Sequence, residues 1–203
     1  VHVEGGLYHA AEKPCDGYGM SRDGWLHKRV WLRKAQCQFG WDWSTRLINV
    51  GITGGVRLEW TDDPVRLEAF VPLATVGDDL AHGRVRGRFI LEGLSDADAA
   101  VTLALDLEPS GRTASAAVTV QPGRHAYEVE LEVEAPELWW PVGCGRPALY
   151  TVRGRVRCGR KPVAAVQKRI GFRKIEVRQP PHEAGGRAFI LSVNNRDVFV
   201  KGG

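Results

Sequence analysis

The sequence contains no paired cysteines at the spacing of a metal or redox motif, almost no helical periodicity and no long apolar run. Its six histidines are isolated from one another, so we expect no metal site and no cofactor. No segment is apolar over the roughly 18 residues that a membrane span requires, and no secretory signal is visible. We therefore expect a cytoplasmic protein. The four cysteines lie too far apart to suggest a disulfide framework: Cys15, Cys37, Cys144 and Cys158.

The basic residues form no cluster, although the formal net charge is +4 and the sequence pI is about 9.0. They stand singly between apolar residues, as in 85–88 and 152–155. Nucleic-acid binding favours a basic stripe or a recognisable module, and neither is present. Solvated strand faces explain these charges, so we expect no nucleic-acid partner.

Short alternating runs dominate the chain and predict strands. The clearest is 127–133, whose apolar residues share one face and whose glutamates share the other,. We interpret Glu128, Glu130 and Glu132 as solvent-facing residues rather than acid–base catalysts. Together with turn signals between the runs, the pattern predicts an antiparallel immunoglobulin-like sandwich without the antibody Cys…Trp…Cys spacing. Further strands are predicted at 65–75, 84–93, 100–108, 114–120, 148–157, 163–170 and 173–178.

The composition changes on both sides of this block. Residues 1–60 contain five of the seven tryptophans and indicate a different unit, with strands predicted at 29–34 and 56–60. After a linker at 179–186, two apolar runs flank Asn194-Asn195 and predict a hairpin, because Asn tolerates the left-handed conformation of a tight turn. The chain stops just after this hairpin, so we expect a fragment of a longer protein.

An aromatic and charged motif, Phe39-Gly40-Trp41-Asp42-Trp43, is followed by Arg46. Indole faces pack against the C–H face of a pyranose, while a carboxylate and a guanidinium fix hydroxyls through charge-assisted hydrogen bonds. The motif therefore suggests sugar recognition. The alternative is that Trp41 and Trp43 are core residues of a strand and that Asp42 only caps a turn.

Four segments, in order, resemble the non-catalytic N-terminal half of the β-mannosidases of glycoside hydrolase family 2. The resemblance rests on LRKAQCQFGWDW at 32–43, ELWWPVG at 137–143, KRIGFRKIE at 168–176 and the hairpin at 193–202. Only the first segment points to the mannosidase branch, since the second and third occur across the family. The chain departs from the usual pattern at Ser44-Thr45, and Asn195 stands where the family's hairpin has glycine.

The resemblance implies an all-β fragment with three parts. These are the C-terminal part of a jelly-roll, galactose-binding-like domain at 1–62, the immunoglobulin-like sandwich at 63–177, and at 178–203 a linker and first strands leading into a truncated (β/α)8 barrel. It also implies retaining hydrolysis of terminal β-linked mannose by two barrel glutamates outside the chain, so the fragment alone is expected to be inactive. Its partners would be the β-mannoside substrate and its own catalytic barrel.

By motif position, the resemblance implies that Asp42 binds substrate hydroxyls, that Trp41 walls the pocket and that Arg46 orients the carboxylate. Trp139 and Trp140 are expected to be structural, plugging an interdomain corner. The alternatives are another family 2 glycosidase, of the β-galactosidase or β-glucuronidase type, and a non-catalytic carbohydrate-binding sandwich. The length of the native reading frame would discriminate between the enzyme and the binding module.

Overall fold

The computed structural model describes residues 2–3, 10, 13, 30–40, 42–43, 45, 47 and 49–200. The chain divides into two compact units, Val1–Glu59 and Trp60–Gly203. The first is the tryptophan-rich unit, and the second carries the strands.

The two strands predicted in the tryptophan-rich region are wrong. Residues 30–34 form a short 3-10 turn and bends, and residues 56–60 form no strand. The apolar side chains of the second run are largely solvent-exposed, with Leu58 at 83%. A strand requires a neighbour that accepts and donates its backbone hydrogen bonds, and among the described residues no segment forms a ladder with either run. The regular element described in this unit is a 3-10 helix, Gln36–Phe39.

The second unit contains an antiparallel sandwich of two sheets, which confirms the predicted fold. The strands of the sandwich are β1 (Val65–Val76), β2 (His82–Gly93), β3 (Ala99–Glu108), β4 (Arg112–Val120), β5 (Gly123–Glu134), β6 (Tyr150–Cys158) and β7 (Lys161–Ile170). One sheet has the strand order β1-β2-β5 and the other β4-β3-β6-β7. Because β4 pairs with β3, it joins the second sheet in this immunoglobulin-like arrangement,.

The core lies between the two sheets because each strand turns alternate residues inward. In β3, every odd-numbered residue from Val101 to Leu107 is buried, and this period-2 pattern is what identified the strands. Two inward glycines make room for Phe70. A Cβ on Gly154 would lie 2.8 Å from its ring, and one on Gly87 would lie 2.5 Å from Leu105 and 3.1 Å from the Phe70 ring. The largest fully buried side chains are Phe89, Phe172, Leu91, Leu103, Leu105 and Leu107.

The outer face of β2 and β5 carries a ladder of arginines opposite glutamates, which confirms that the glutamates of β5 face solvent. Arg84 lies 3.7 Å from Glu132 and 3.9 Å from Glu130. These pairs are about half exposed, so each contributes little to stability.

At the C-terminal end of β2, the backbone of Gly93 lies close to the backbone of Gln121. A Cβ on Gly93 would lie 2.2 Å from the Gln121 carbonyl oxygen.

The last predicted strand of the sandwich belongs to a different sheet. β8 (Ile175–Arg178) pairs with β9 (Ile190–Val193), which pairs with β10 (Arg196–Val198). The prediction that 173–178 adds a strand to the sandwich is therefore wrong. Phe172 is the last residue along the chain that belongs to the core cluster of the sandwich, and the exposed Arg173 and Ile175 lie outside that cluster. The hairpin prediction is confirmed, with Asn194 and Asn195 at φ values of 50° and 63°.

Candidate functional site

The acidic motif lies in a turn that follows the 3-10 helix Gln36–Phe39. Phe39 is 2% exposed and anchors the helix within its unit. Gly40 has φ 109° and ψ 144°, a backbone conformation that a side chain would strain,. Asp42 and Trp43 follow in an exposed turn.

The structure distinguishes between the two interpretations of Trp43, as a sugar-binding residue or as a core residue of a strand. Its side chain is 78% exposed and lies in a turn, so the alternative that it is a core residue of a strand is wrong. Asp42 is also exposed, and its carboxylate is accessible to solvent in this chain. Trp41 and Arg46, the other two residues assigned to the site, lie outside the described residues. The assignment of all three to a sugar pocket stays a prediction.

The tryptophan loop, residues 135–149 between β5 and β6, holds the two residues predicted to be structural. Trp139 is half-buried, and its backbone N–H donates to the Phe172 carbonyl at 2.9 Å. Its ring covers Gly171, where a Cβ would lie 2.8 Å from the Trp139 side chain. The Arg173 guanidinium lies 4.8 Å from the ring centroid, within cation–π range,.

Trp140 is also half-buried and closes the other side of the loop. Its backbone N–H donates to Arg146 at 3.1 Å, and its indole lies against Gly145, where a Cβ would be 2.7 Å from the ring. Glu137 accepts from Arg146 at 2.9 Å, and its backbone N–H donates to the Tyr150 hydroxyl at 2.9 Å. Both indoles thus pack on the loop's own backbone or on the segment that leaves β7.

Asn194 joins the tryptophan loop to the hairpin, a role that the sequence did not reveal. Its side chain is 4% exposed, and its amide nitrogen donates to the Trp139 carbonyl at 3.0 Å. Its amide oxygen accepts from the Lys174 backbone N–H at 2.9 Å, while its own backbone N–H donates to the Lys174 carbonyl at 2.8 Å. These three hydrogen bonds satisfy the Asn194 side chain and three backbone groups of Trp139 and Lys174, as buried polar groups require.

The Lys174 side chain gathers the acceptors around the same turn. Its ammonium donates to Asp78 at 2.8 Å, Glu176 at 3.0 Å and Asn195 at 3.2 Å. The hydrogen bonds to Asp78 and then Glu176 raise the pKa of this ammonium above its ordinary value. Asn195 also donates to the Asp78 carbonyl at 2.9 Å, so the hairpin turn is fixed to the β1–β2 turn.

A second charged cluster occupies the β1–β2 turn. The His82 ring lies 2.5 Å from Asp79 and 3.3 Å from Glu134. The hydrogen bond to Asp79 raises the pKa of His82, and Glu134 adds to the effect.

Within the described residues, no group of three potential ligands is arranged to hold a metal ion. Of the described part of the chain, no helix is long and apolar enough to cross a membrane.

The fold defines the class of the chain as an all-β protein whose main unit is an immunoglobulin-like sandwich. The sequence profile of glycosyl hydrolases family 2 matches residues 65–173, which span this sandwich. The profile of the family's galactose-binding domain-like region matches residues 6–54. The chain therefore belongs to glycosyl hydrolase family 2.

The similar proteins include β-mannosidases. The chain is 32% identical over 190 residues to β-mannosidase B of Aspergillus niger and 33% identical over 190 residues to that of Aspergillus clavatus. Each match covers 86% of this chain and 20% of the relative, so the chain spans about a fifth of the length of these curated relatives.

Two solved structures have a fold similar to that of this chain. The β-D-mannosidase from Dictyoglomus thermophilum superposes with a TM-score of 0.76 at 28% identity, covering 96% of this chain and 23% of that enzyme. The exo-chitosanase of Amycolatopsis orientalis superposes with a TM-score of 0.59 at 22% identity, covering 69% of this chain and 16% of that chain. The second likeness is one of fold alone.

Proposed function

We propose that this chain is the non-catalytic N-terminal part of a retaining exo-glycosidase that removes terminal β-linked mannose. The observation that carries the proposal is the likeness to the Dictyoglomus thermophilum β-D-mannosidase, which extends over 96% of the chain. The Trp-Asp-Trp motif at 41–43, which resembles the β-mannosidase branch, supports the same substrate.

In this proposal, the chain supplies part of the substrate pocket and the scaffold of the catalytic domain. Two glutamates of a (β/α)8 barrel outside the chain act as nucleophile and as acid/base, with a covalent glycosyl-enzyme between the two steps. The partners are a β-mannoside and the polypeptide's own barrel, and the location is the cytoplasm. The 203-residue chain alone is then inactive.

Asp42 is the residue of this chain to which we assign direct substrate contact. An exposed carboxylate at a turn is able to accept hydrogen bonds from two neighbouring hydroxyls, and charge-assisted bonds are the strong ones. We assign Trp41 to the wall of the pocket and Arg46 to orienting the carboxylate. A site built to bond hydroxyls discriminates against sugars that present them differently.

The test uses the intact polypeptide and compares Asp42→Ala with Asp96→Ala. Asp96 is an exposed carboxylate in the β2–β3 loop and serves as the matched control. We expect Asp42→Ala to lower kcat/KM for an aryl β-mannoside by about a hundredfold, about 3 kcal/mol, while Asp96→Ala keeps wild-type kinetics. Full activity of Asp42→Ala would contradict this assignment and leave Asp42 as a turn residue without substrate contact.

A panel of aryl β-glycosides on the wild-type polypeptide tests the substrate class. Preference for the mannoside supports the proposal, whereas preference for a galactoside or glucuronide assigns the chain to another branch of the family. A native reading frame that stops near residue 203 would favour a carbohydrate-binding module instead. Free mannose should bind the 203-residue chain very weakly or not at all, since in this proposal half of the pocket is absent.

A further inference from the structure

The three arginines of β6 form a row on the outer face of the second sheet. Val152 and Val156 of this strand are fully buried, so the alternating Arg153, Arg155 and Arg157 point away from the core,. Successive arginines are then roughly 7 Å apart along the strand. Along the chain they are isolated basic residues, and the strand brings them together.

The residues on both sides of this row are small and mostly uncharged. Six residues of β3 and β7 lie opposite the three arginines, and Asp106 is the one that carries a charge. The other five are Thr102, Ala104, Pro162, Ala165 and Gln167. The arginines of β2 differ, because each of them lies opposite a glutamate of β5. The outer face of the second sheet is therefore the more basic of the two.

Asp106 neutralises one arginine of the row. Its carboxylate accepts from Nη2 of Arg155 at 2.7 Å, while Nε of Arg155 is buried without an acceptor among the described residues. Arg157 donates to the carbonyl oxygen of Arg160 at 2.7 Å, an acceptor without a formal charge. Arg153 is exposed and forms no ion pair within the described part of the chain.

Arg169 of β7 extends this basic surface. It is exposed and lies opposite Thr151, on the same face as the row. Glu108 of β3 lies opposite Thr151 from the other side and is the second carboxylate of the surface. We call the outer surface around Arg153, Arg155, Arg157 and Arg169 the arginine face.

We propose that the arginine face binds an anionic polysaccharide of the uronate type. Guanidinium groups hold carboxylates through paired, charge-assisted hydrogen bonds. Beside the arginines, the exposed hydroxyls of Thr102, Ser115 and Thr119 are donors and acceptors for sugar hydroxyls,. A polyuronate presents carboxylates and hydroxyls along one extended chain, which matches a flat sheet face with its charges in a row.

Other polyanions match this face less well. Single-stranded nucleic acids bind where aromatic side chains stack on the bases, and in the fully described strands β3, β4, β6 and β7 no outward-facing residue is aromatic. An acidic protein requires large side chains buried at the centre of its interface, whereas the side chains beside the arginines are mostly small. Binding here does not require the proposed hydrolysis, because Asp42 belongs to the other unit.

The test measures binding of a fluorescein-labelled oligogalacturonate to the intact polypeptide by fluorescence anisotropy at physiological salt. The face variant combines Arg153→Gln, Arg157→Gln and Arg169→Gln. The matched control combines glutamine substitutions of the three β2 arginines, at 84, 86 and 88, and therefore removes the same charge from the sheet whose arginines lie opposite glutamates. Labelled neutral oligomannoside and labelled single-stranded DNA are titrated in parallel.

A second kind of variant leaves every arginine in place. Thr102→Glu puts a carboxylate opposite Arg157, as the glutamates of β5 are opposite the arginines of β2. Denaturant unfolding of each variant reports whether the sandwich is intact. Thr102→Glu decides the question if the face variant does not fold.

We expect the face variant to bind the oligogalacturonate about tenfold more weakly than wild type, since three exposed ion pairs are lost. The control should bind within about twofold of wild type, and Thr102→Glu about threefold more weakly. Absence of wild-type binding would overturn the proposal, as would equal losses in the face variant and the control, or unchanged affinity in Thr102→Glu.

The parallel ligands test the chemical class. Equally tight binding of the neutral oligomannoside would overturn the role of charge, and tighter binding of single-stranded DNA would assign the face to nucleic acid instead. Hydrolysis of β-mannosides by the intact wild type is assayed separately. Binding of the oligogalacturonate without that hydrolysis would refute the proposed function and still support the arginine face.

Discussion

Replacing Asn194 tests the contact that attaches the β9–β10 hairpin to the tryptophan loop of the sandwich. Asn194→Ala removes the donor to the Trp139 carbonyl and the acceptor from the Lys174 backbone N–H, and both bonds are part-buried. It also leaves an alanine at φ 50°, where a Cβ is disfavoured,. Asn194→Gly loses the same two hydrogen bonds but does not add the backbone strain, because glycine adopts a positive φ freely.

The structure sets the size of the effect. Two unsatisfied backbone groups cost about 1–3 kcal/mol each when they are buried, and the left-handed alanine adds roughly 1 kcal/mol. We expect Asn194→Ala to destabilise the hairpin and its attachment by about 3–7 kcal/mol, and Asn194→Gly by roughly 1 kcal/mol less. The comparison variant is Asn195→Gly, at a residue that also has a positive φ of 63°. It removes the hydrogen bonds to Lys174 and to the Asp78 carbonyl, which are exposed to solvent and therefore worth less than the part-buried bonds of Asn194. It should change the free energy by less than about 1 kcal/mol.

Hydrogen exchange of peptides covering β9 and β10, combined with denaturant unfolding of the sandwich, measures the loss. Exchange reports the hairpin even where it opens separately from the sandwich. Asn194→Ala should raise the exchange of the β9 amides at least a hundredfold over wild type. Exchange within threefold of wild type would refute the assignment of Asn194 as the fastening residue.

Three further predictions follow from the packing and the charges. Gly154→Ala should cost about 1–3 kcal/mol of unfolding free energy by overpacking against Phe70, and Phe70→Leu should reduce that cost in a double-mutant cycle; additivity would contradict it. Trp139→Ala should cost about 2 kcal/mol in denaturant unfolding, roughly half the value for a fully buried indole; an unchanged midpoint with lost sugar binding would make it a ligand contact. His82 should titrate above its ordinary pKa of 6.5 by NMR, and Asp79→Asn should lower that pKa. Because folding favours protonated His82, the contact contributes fully below the unfolded pKa and is lost as the pH rises through the folded one; an unmoved midpoint in Asp79→Asn would contradict this.

The strands of the sandwich could be predicted because burial and sequence share the same period. The run at 127–133 lies wholly within β5, and its glutamates face solvent as predicted. The run at 173–178 shows the limit of this argument. Alternation indicates a strand but does not name its partner, and β8 pairs with β9 rather than with β7.

The candidate site could be predicted only in part. The Trp-Asp-Trp motif contains residue types suited to binding a sugar. Neither the spacing of these residues nor the turn in which they lie determines which group binds Asp42. Asn194 was identified as a turn residue because Asn tolerates a positive φ. Its buried amide could not be predicted, since its partners are backbone groups 20 and 55 positions away in the chain.

The close approach at Gly93 bears on how β2 and β5 find their alignment. The arginines and glutamates of the ladder repeat at every second residue, so a slip of two positions would still place opposite charges face to face and apolar residues inward. Only a residue without a side chain fits against the Gln121 carbonyl, and Gly93 alone meets that condition at this end of β2. The alignment of β2 is thus fixed by shape, at Gly93 and also at Gly87, where a Cβ would lie 2.5 Å from Leu105. Substitution of the arginine–glutamate pairs by other polar pairs should therefore leave the register of β2 and β5 unchanged.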